Sequence, residues 1–330
     1  MAGILYVILM ILTGRELVNV FLPPENQSGG RRGSRFLVVL VGAFGVGALT
    51  YGWGTYMLSW AASTLGAGEP LFWGNLVMMS FGTGILMFLY GKRYKKNHQR
   101  LKETSMKELL RSSGFSQISG KEKIFFGMLL VFITWIMFYV FYVYKDALYM
   151  GYTVYGDYAP HTAMMRSFSR GNNFPTEYPH FGGQDVKYHF MFQFLTGNLE
   201  YLGLRIDLAY NLLSILALWG FMVLLYLLAV RVTDSRKAGA LGIFLFFFRS
   251  GTAFFQFLWE HIHAGDLIET LKANTSFIGY TTNENWGLWN FNVYLNQRHL
   301  AFGLLLVTLV FWFYMDWIEA GASHPERGLL

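Results

Sequence analysis

Residues 149–206 read YMGYTVYGDYAPHTAMMRSFSRGNNFPTEYPHFGGQDVKYHFMFQFLTGNLEYLGLRI. The stretch lies between two apolar runs long enough to cross a membrane, and it is too long and varied to be a simple connector. From Tyr158 its pattern turns helical. His161, Met164, Met165 and Phe168 fall at i, i+3, i+4 and i+7, one face of a helix. Gly171-Asn172-Asn173-Phe174-Pro175 breaks that helix, and Pro179 and Gly182-Gly183 keep the chain irregular. A second apolar helix begins at Tyr188. The expectation is two amphipathic surface helices joined by a polar turn, framing a wet cavity at a membrane boundary.

The composition around this stretch sets the solvent. Of 330 residues, 54% are hydrophobic and only 14% charged, against about 25% charged in soluble domains. Such a chain cannot cover itself with polar surface, so an all-α integral membrane protein is expected. At about 20 apolar residues per crossing, seven spans are expected: 2–22, 36–60, 71–91, 123–147, 207–231, 238–259 and 299–318. The first lacks a basic leader and a small-residue cleavage site, and reads as a retained helix. The second is rich in glycine, which favours close helix contacts. The chain divides into N-terminal spans over 1–91, a basic link over 92–122, and a membrane module over 123–330 with large loops at 149–206 and 260–298.

Lysine and arginine set the orientation. The link from Lys92 to Lys123 carries ten basic residues against three acids. With seven alternating spans it shares a side with Arg31, Arg32 and Arg35 and with the turn from Arg231 to Lys237. These basic segments are expected to be cytoplasmic and the two large loops extracytoplasmic, in the cell membrane. The same placement explains the net charge of +6 without nucleic acid as a partner. There is no cysteine, hence no disulfide and no thiolate metal site.

Several residues carry candidate chemistry. Asp157 precedes the helical pattern, with Pro160 suited to a first turn. It is either an N-cap or a carboxylate placed to take a proton at the membrane boundary. Lys187, Tyr188 and His189 cluster before the second helix, either as a solvated loop or as groups reaching a phosphate or substrate. Arg166 and Arg170 lie four apart, for lipid phosphate or solvent. Arg298, beside His299 at the mouth of the last span, either snorkels to headgroups or holds a phosphate. In the second loop, His261, His263 and Asp266 form a His-x-His-x-x-Asp string. On a strand its two imidazoles would share a face and could hold a metal; otherwise they are ordinary histidines of an aromatic zone. Trp289 stands among aromatics and asparagines that either stack on a sugar or form an interfacial belt. No Walker loop, nucleophile elbow or dinucleotide fingerprint is present.

The order Asp157-Tyr-Ala-Pro-His161, then Arg166 to Pro175, then Pro179-His-Phe-Gly-Gly183, then Tyr188-His-Phe190 resembles the first large outer loop of prokaryotic GT-C membrane glycosyltransferases. More loosely, Asn296-Gln-Arg-His-Leu300 resembles the arginine-containing start of a later helix. The resemblance implies an enzyme that moves a sugar from a polyprenyl-phosphate carrier to a glycan, lipid or protein acceptor on the outer face of the membrane. Asp157 would be the catalytic carboxylate. Arg298, His299 and Lys187 would bind the donor phosphate, and His161, Tyr188, His189 and Trp289 the substrate. A divalent metal is compatible with it, with membrane lipids and a partner subunit as further partners. Here the acidic loop follows the fourth span and three spans come after it, which reads as a shortened or partial form. The alternatives are a transporter or channel, and a non-catalytic membrane subunit of a glycosyltransferase complex.

Overall fold

The computed structural model describes residues 1–22, 32–103, 114–151, 154–248, 253–274 and 291–323. The chain is a mostly helical, multi-pass membrane protein. It divides into two compact units, Met1–Leu224 with His299–Leu330, and Leu225–Arg298.

In the first unit α1 (Ala2–Phe21), α2 (Arg32–Thr64) and α3 (Pro70–Glu103) run antiparallel. Glycine sets the α1–α2 crossing. A Cβ on Gly14 would lie 2.6 Å from the Gly47 nitrogen, and one on Gly47 would strike the Met10 carbonyl, so only small residues permit this approach. Tyr6 donates to the Tyr51 carbonyl at 3.0 Å and shares a hydrogen bond with Thr55 at 2.9 Å, which satisfies buried hydroxyls between the two helices. Glu16, buried in α1, is held by Arg93 and Tyr90 of α3. The charge in the first apolar run is therefore paired, as a charge in that setting must be.

After α3 comes α4 (Gly120–Val140), opened by a capping box between Ser119 and Glu122. The expected span to residue 147 ends early, at Val140. Phe141–Tyr144 and Ala147–Met150 form strands β1 and β2 of an antiparallel hairpin. Lys145 and Asp146 both have positive φ, 45° and 61°, the geometry of a two-residue hairpin turn matched to strand twist. Tyr142 stacks on Tyr149 across the pair. Buried Asp207 accepts from the Val143 backbone N–H at 3.0 Å and from Arg205, tying the hairpin to the next span.

The 149–206 stretch supplies α5 (Tyr155–Gly171) and α6 (Met191–Tyr201). They are not a pair of surface helices. Every residue from Phe192 to Leu199 is buried, with Thr196 donating to the Phe192 carbonyl and Asn198 paired across to α3. Asn198 exchanges two hydrogen bonds with Asn75 of α3, at 2.6 and 3.0 Å. Gly197 lets α6 lie against the α5 backbone at Met165. The segment between the helices is pinned: Phe174 enters a cluster with Leu71, Met164, Phe168 and Phe194, its carbonyl accepts from Ser63, and Asn173 bonds Glu177 and Ser167. Gly3 donates to Leu202 at 3.1 Å. The start of α1, the end of α2 and the start of α3 thus meet the 149–206 stretch at one end of the bundle.

The remaining helices are α7 (Ile206–Thr233), α8 (Arg236–Phe248), α9 (Ala253–Ala264), α10 (Leu267–Ala273), α11 (Phe291–Asn296) and α12 (Arg298–Ser323). Six helices among the described residues are long and apolar enough to cross a membrane: Ala2–Phe21, Ser34–Thr64, Pro70–Lys95, Gly120–Val140, Ile206–Thr233 and Arg298–Glu319. They match six of the seven expected spans. The expected span 238–259 instead comprises α8 and α9, with residues 249–252 outside the described residues. In the second unit Gly239 of α8 abuts Tyr226, and the Phe246 ring lies tilted against Tyr294 of α11, 5.0 Å between centroids.

Candidate functional site: a three-histidine cluster at the mouth of an apolar groove

Three elements of the first unit each bring one histidine to a common point. His161 lies in the second turn of α5, on the face that packs inward, and is buried. His189 precedes α6 and His299 sits in the first turn of α12; both are half-buried. The ring centroids of His189 and His299 are 3.5 Å apart, and His161 lies 5.8 and 5.9 Å from them. One ring nitrogen from each lies within 4.8 Å of the others. Gln193, one turn into α6, meets His189 Nδ1 at 3.4 Å. Burial lowers the pKa of His189 below the ordinary imidazole range, and the Gln193 contact partly offsets this.

Two members of the cluster, His189 and His299, line a groove. A cavity of about 180 Å³ is lined by Leu49, Gly52, Trp53, Met191, Phe302 and neighbouring apolar residues of α2, α6 and α12, with His189 and His299 as its polar members. Leu49 and Trp53 are exposed on the apolar surface of the bundle. The groove therefore offers an apolar trough with two imidazoles in its wall.

Asp157 is one helical turn before His161, and residues four apart share a helix face. The cap of α5 is Val154, so Asp157 is not the N-cap. It lies in the first turn, where the helix dipole favours a negative charge. It is half-buried, and its side chain makes no hydrogen bond or ion pair among the described residues. Pro160 falls in the second turn, not the first.

The structure brings His161, His189 and His299 together, and Asp157 stands one helical turn before His161 on α5. Tyr188 is exposed, with its ring 3.8 Å from that of His189, and Lys187 is exposed on the same approach. Arg298 is fully buried, and its Nε donates to the Leu295 carbonyl at 3.3 Å, which is not the posture of a residue snorkelling to headgroups. Arg166 and Arg170 lie near Glu200 of α6, at 3.4 and 3.9 Å. Their first partner is therefore a carboxylate of the protein. Trp289 lies outside the described residues.

Comparison of the chain with protein families, curated proteins and solved structures found no match.

The second-loop string is corrected. His261 and His263 are on helix α9 and not on a strand. Residues two apart on a helix point to different sides, so the premise of a shared face fails. His261 Nδ1 pairs with Asp266 at 2.8 Å and His263 Nδ1 with the Trp259 carbonyl at 2.8 Å. The His261 bond holds the Asp266 carboxyl below its usual range. Sequence reasoning singled out each histidine of the first-unit cluster separately but missed their convergence and missed Gln193. The only sequence signal for Gln193 was its helical spacing from His189, which becomes meaningful once His189 is known to face inward.

Proposed function

We propose that the chain is an integral-membrane glycosyltransferase that takes a sugar from a polyprenyl-phosphate carrier and passes it to an acceptor on the extracytoplasmic face. The observation that carries this reading is the apolar groove lined by His189 and His299, whose rings meet His161, with Asp157 one helical turn before His161 on α5. A lipid chain suits the groove, and a phosphate head suits its two imidazoles. A carboxylate without a hydrogen-bond or ion-pair partner among the described residues suits proton removal from an acceptor.

In the proposed reaction the acceptor hydroxyl or amide gives its proton to Asp157 as its oxygen or nitrogen attacks the anomeric carbon. The bond from that carbon to the phosphate oxygen breaks, and the polyprenyl phosphate leaves with the electron pair. Cationic groups stabilise the charge developing on the departing phosphate. By the family resemblance Arg298 and Lys187 supply that charge and His299 hydrogen-bonds the donor phosphate, with His161, Tyr188, His189 and Trp289 contacting substrate.

Purified full chain with a labelled polyprenyl-phosphate sugar and membrane-derived acceptors tests the proposal. Asp157→Asn is expected to lower transfer by about 10²-fold or more while leaving donor binding and the melting temperature unchanged. Full transfer by Asp157→Asn removes the role of Asp157. Absence of transfer by the wild-type chain, with solute movement in liposomes or activity only beside a partner, favours the transporter or subunit alternatives.

A further inference from the structure

We propose that His161, His189 and His299 form a binding site for a late first-row divalent cation of the zinc type, with three imidazole ligands and a fourth position open to an exogenous oxygen. Donor chemistry sets the class of metal. Three neutral nitrogens, with no thiolate in the chain, suit zinc, cobalt, nickel or copper. Magnesium and calcium prefer oxygen. Three protein ligands with one open position is the arrangement of catalytic zinc sites.

The geometry is close to what such an ion needs. Zinc–nitrogen bonds of about 2.0–2.1 Å in a tetrahedron put the ligand nitrogens about 3.3 Å apart. The three nitrogens lie within 4.8 Å of one another. Closing that gap takes a ring displacement of under about 1 Å, together with χ rotations that unstack His189 from His299, now 28° apart in plane, so that their in-plane lone pairs converge. His189 Nε2 and His299 Nδ1 are buried and make no hydrogen bond among the described residues. Buried ring nitrogens in that condition carry a desolvation cost that a metal bond removes.

Gln193 supplies the outer shell. Its amide nitrogen faces His189 Nδ1, while its Oε1 is buried without a partner among the described residues. Turning the carboxamide over lets its Oε1 accept from His189 Nδ1–H, which leaves His189 Nε2 as the lone-pair atom that faces the metal. A ligating histidine commonly donates its other ring N–H in this way, which fixes the tautomer and ring orientation. The site does not depend on the transferase reading. Where both hold, the open position would take a phosphate oxygen of the lipid donor.

The test uses full-length protein in detergent, purified without a polyhistidine tag, stripped with chelator, reloaded with zinc or cobalt, and freed of excess metal by gel filtration. Elemental analysis is expected to find about one zinc per chain, and the cobalt form to show the visible d–d bands of a tetrahedral site. His161→Asn, His189→Asn and His299→Asn should each retain less than about a tenth of an equivalent, whereas His261→Asn/His263→Asn keeps the full equivalent. Gln193→Leu should weaken retention by about 10-fold or more. Size exclusion and melting identify any variant that has not folded, and the wild-type measurements need no variant. Wild-type protein that holds no stoichiometric metal and gives no tetrahedral cobalt spectrum overturns the proposal, as does full retention in the folded triple variant. Zinc bound without any sugar transfer keeps this inference and removes the transferase reading alone.

Discussion

Replacing Gly197 by alanine should loosen the contact that holds His161 near His189. Gly197 of α6 faces the backbone of Met165 on α5, where an added Cβ would stand 3.1 Å from the Met165 carbonyl carbon and 3.3 Å from its Cα, and nearer still to its carbonyl oxygen. Carbon atoms rest about 3.5–4.0 Å apart, so the two helices must part by a few tenths of an ångström up to about 1 Å. Such overpacking costs about 1–3 kcal/mol, against a gain of about 0.8–1.0 kcal/mol for alanine over glycine within a helix. The net is a change between about zero and 2 kcal/mol in the destabilising direction. Gly127 of α4 is the matched control, since a Cβ there meets nothing within 4 Å. Gly127→Ala should therefore show only the helical gain, leaving the two variants about 1–3 kcal/mol apart. Reversible unfolding in mixed micelles measures the gap. Because α5 carries His161 and α6 follows His189, the same displacement should reduce metal retention, and a 1 Å misplacement can lower a catalysed rate by about 10²-fold. Gly197→Ala equal to Gly127→Ala in stability, with metal content and transfer intact, would refute the close-approach argument.

Other outcomes follow from the same packing. Asn75→Ala and Asn198→Ala should be non-additive, with a coupling of about 1–2 kcal/mol for two interhelical hydrogen bonds; strict additivity in a double-mutant cycle would deny the reciprocal pair. Arg93→Met should cost about 3 kcal/mol or more, because Glu16 is left buried without its cation. Glu16→Gln should cost less, since Arg93 is 52% exposed and can reach water; equal costs would contradict that asymmetry. Val143→Pro removes the N–H that Asp207 accepts and should free the hairpin, read as faster amide exchange over 141–150.

Much of the bundle was legible from the residues. Six spans follow from apolar length alone, and the glycine-rich run over 36–60 announced a close crossing, realised at Gly14 and Gly47. The hairpin after Val140 was missed because its residues are as apolar as a span. Only Lys145-Asp146, in left-handed conformation, marks the turn. The burial of α6 was missed for a different reason. Its partner Asn75 is 123 residues away from Asn198, and no local pattern shows that a polar side chain has found a distant match. The histidine cluster has the same origin: each imidazole reads locally as a boundary residue, and only the packing of α5, α6 and α12 makes three of them one site. The His261 and His263 string shows the converse, a spacing with meaning on a strand that lost it on a helix.

The central claim is that a polyprenyl-phosphate sugar lies with its chain in the groove and its head at the histidines. Photo-crosslinking tests it most directly, using a polyprenyl-phosphate sugar with a photoreactive group near the head, purified full-length protein, and peptide mapping by mass spectrometry. Saturable labelling of residues 48–53, 189–195 and 299–303 is expected, competed by unlabelled donor and reduced in Gly52→Trp, which fills the groove. Labelling that is unsaturable, or that maps to helices away from the groove, would contradict it.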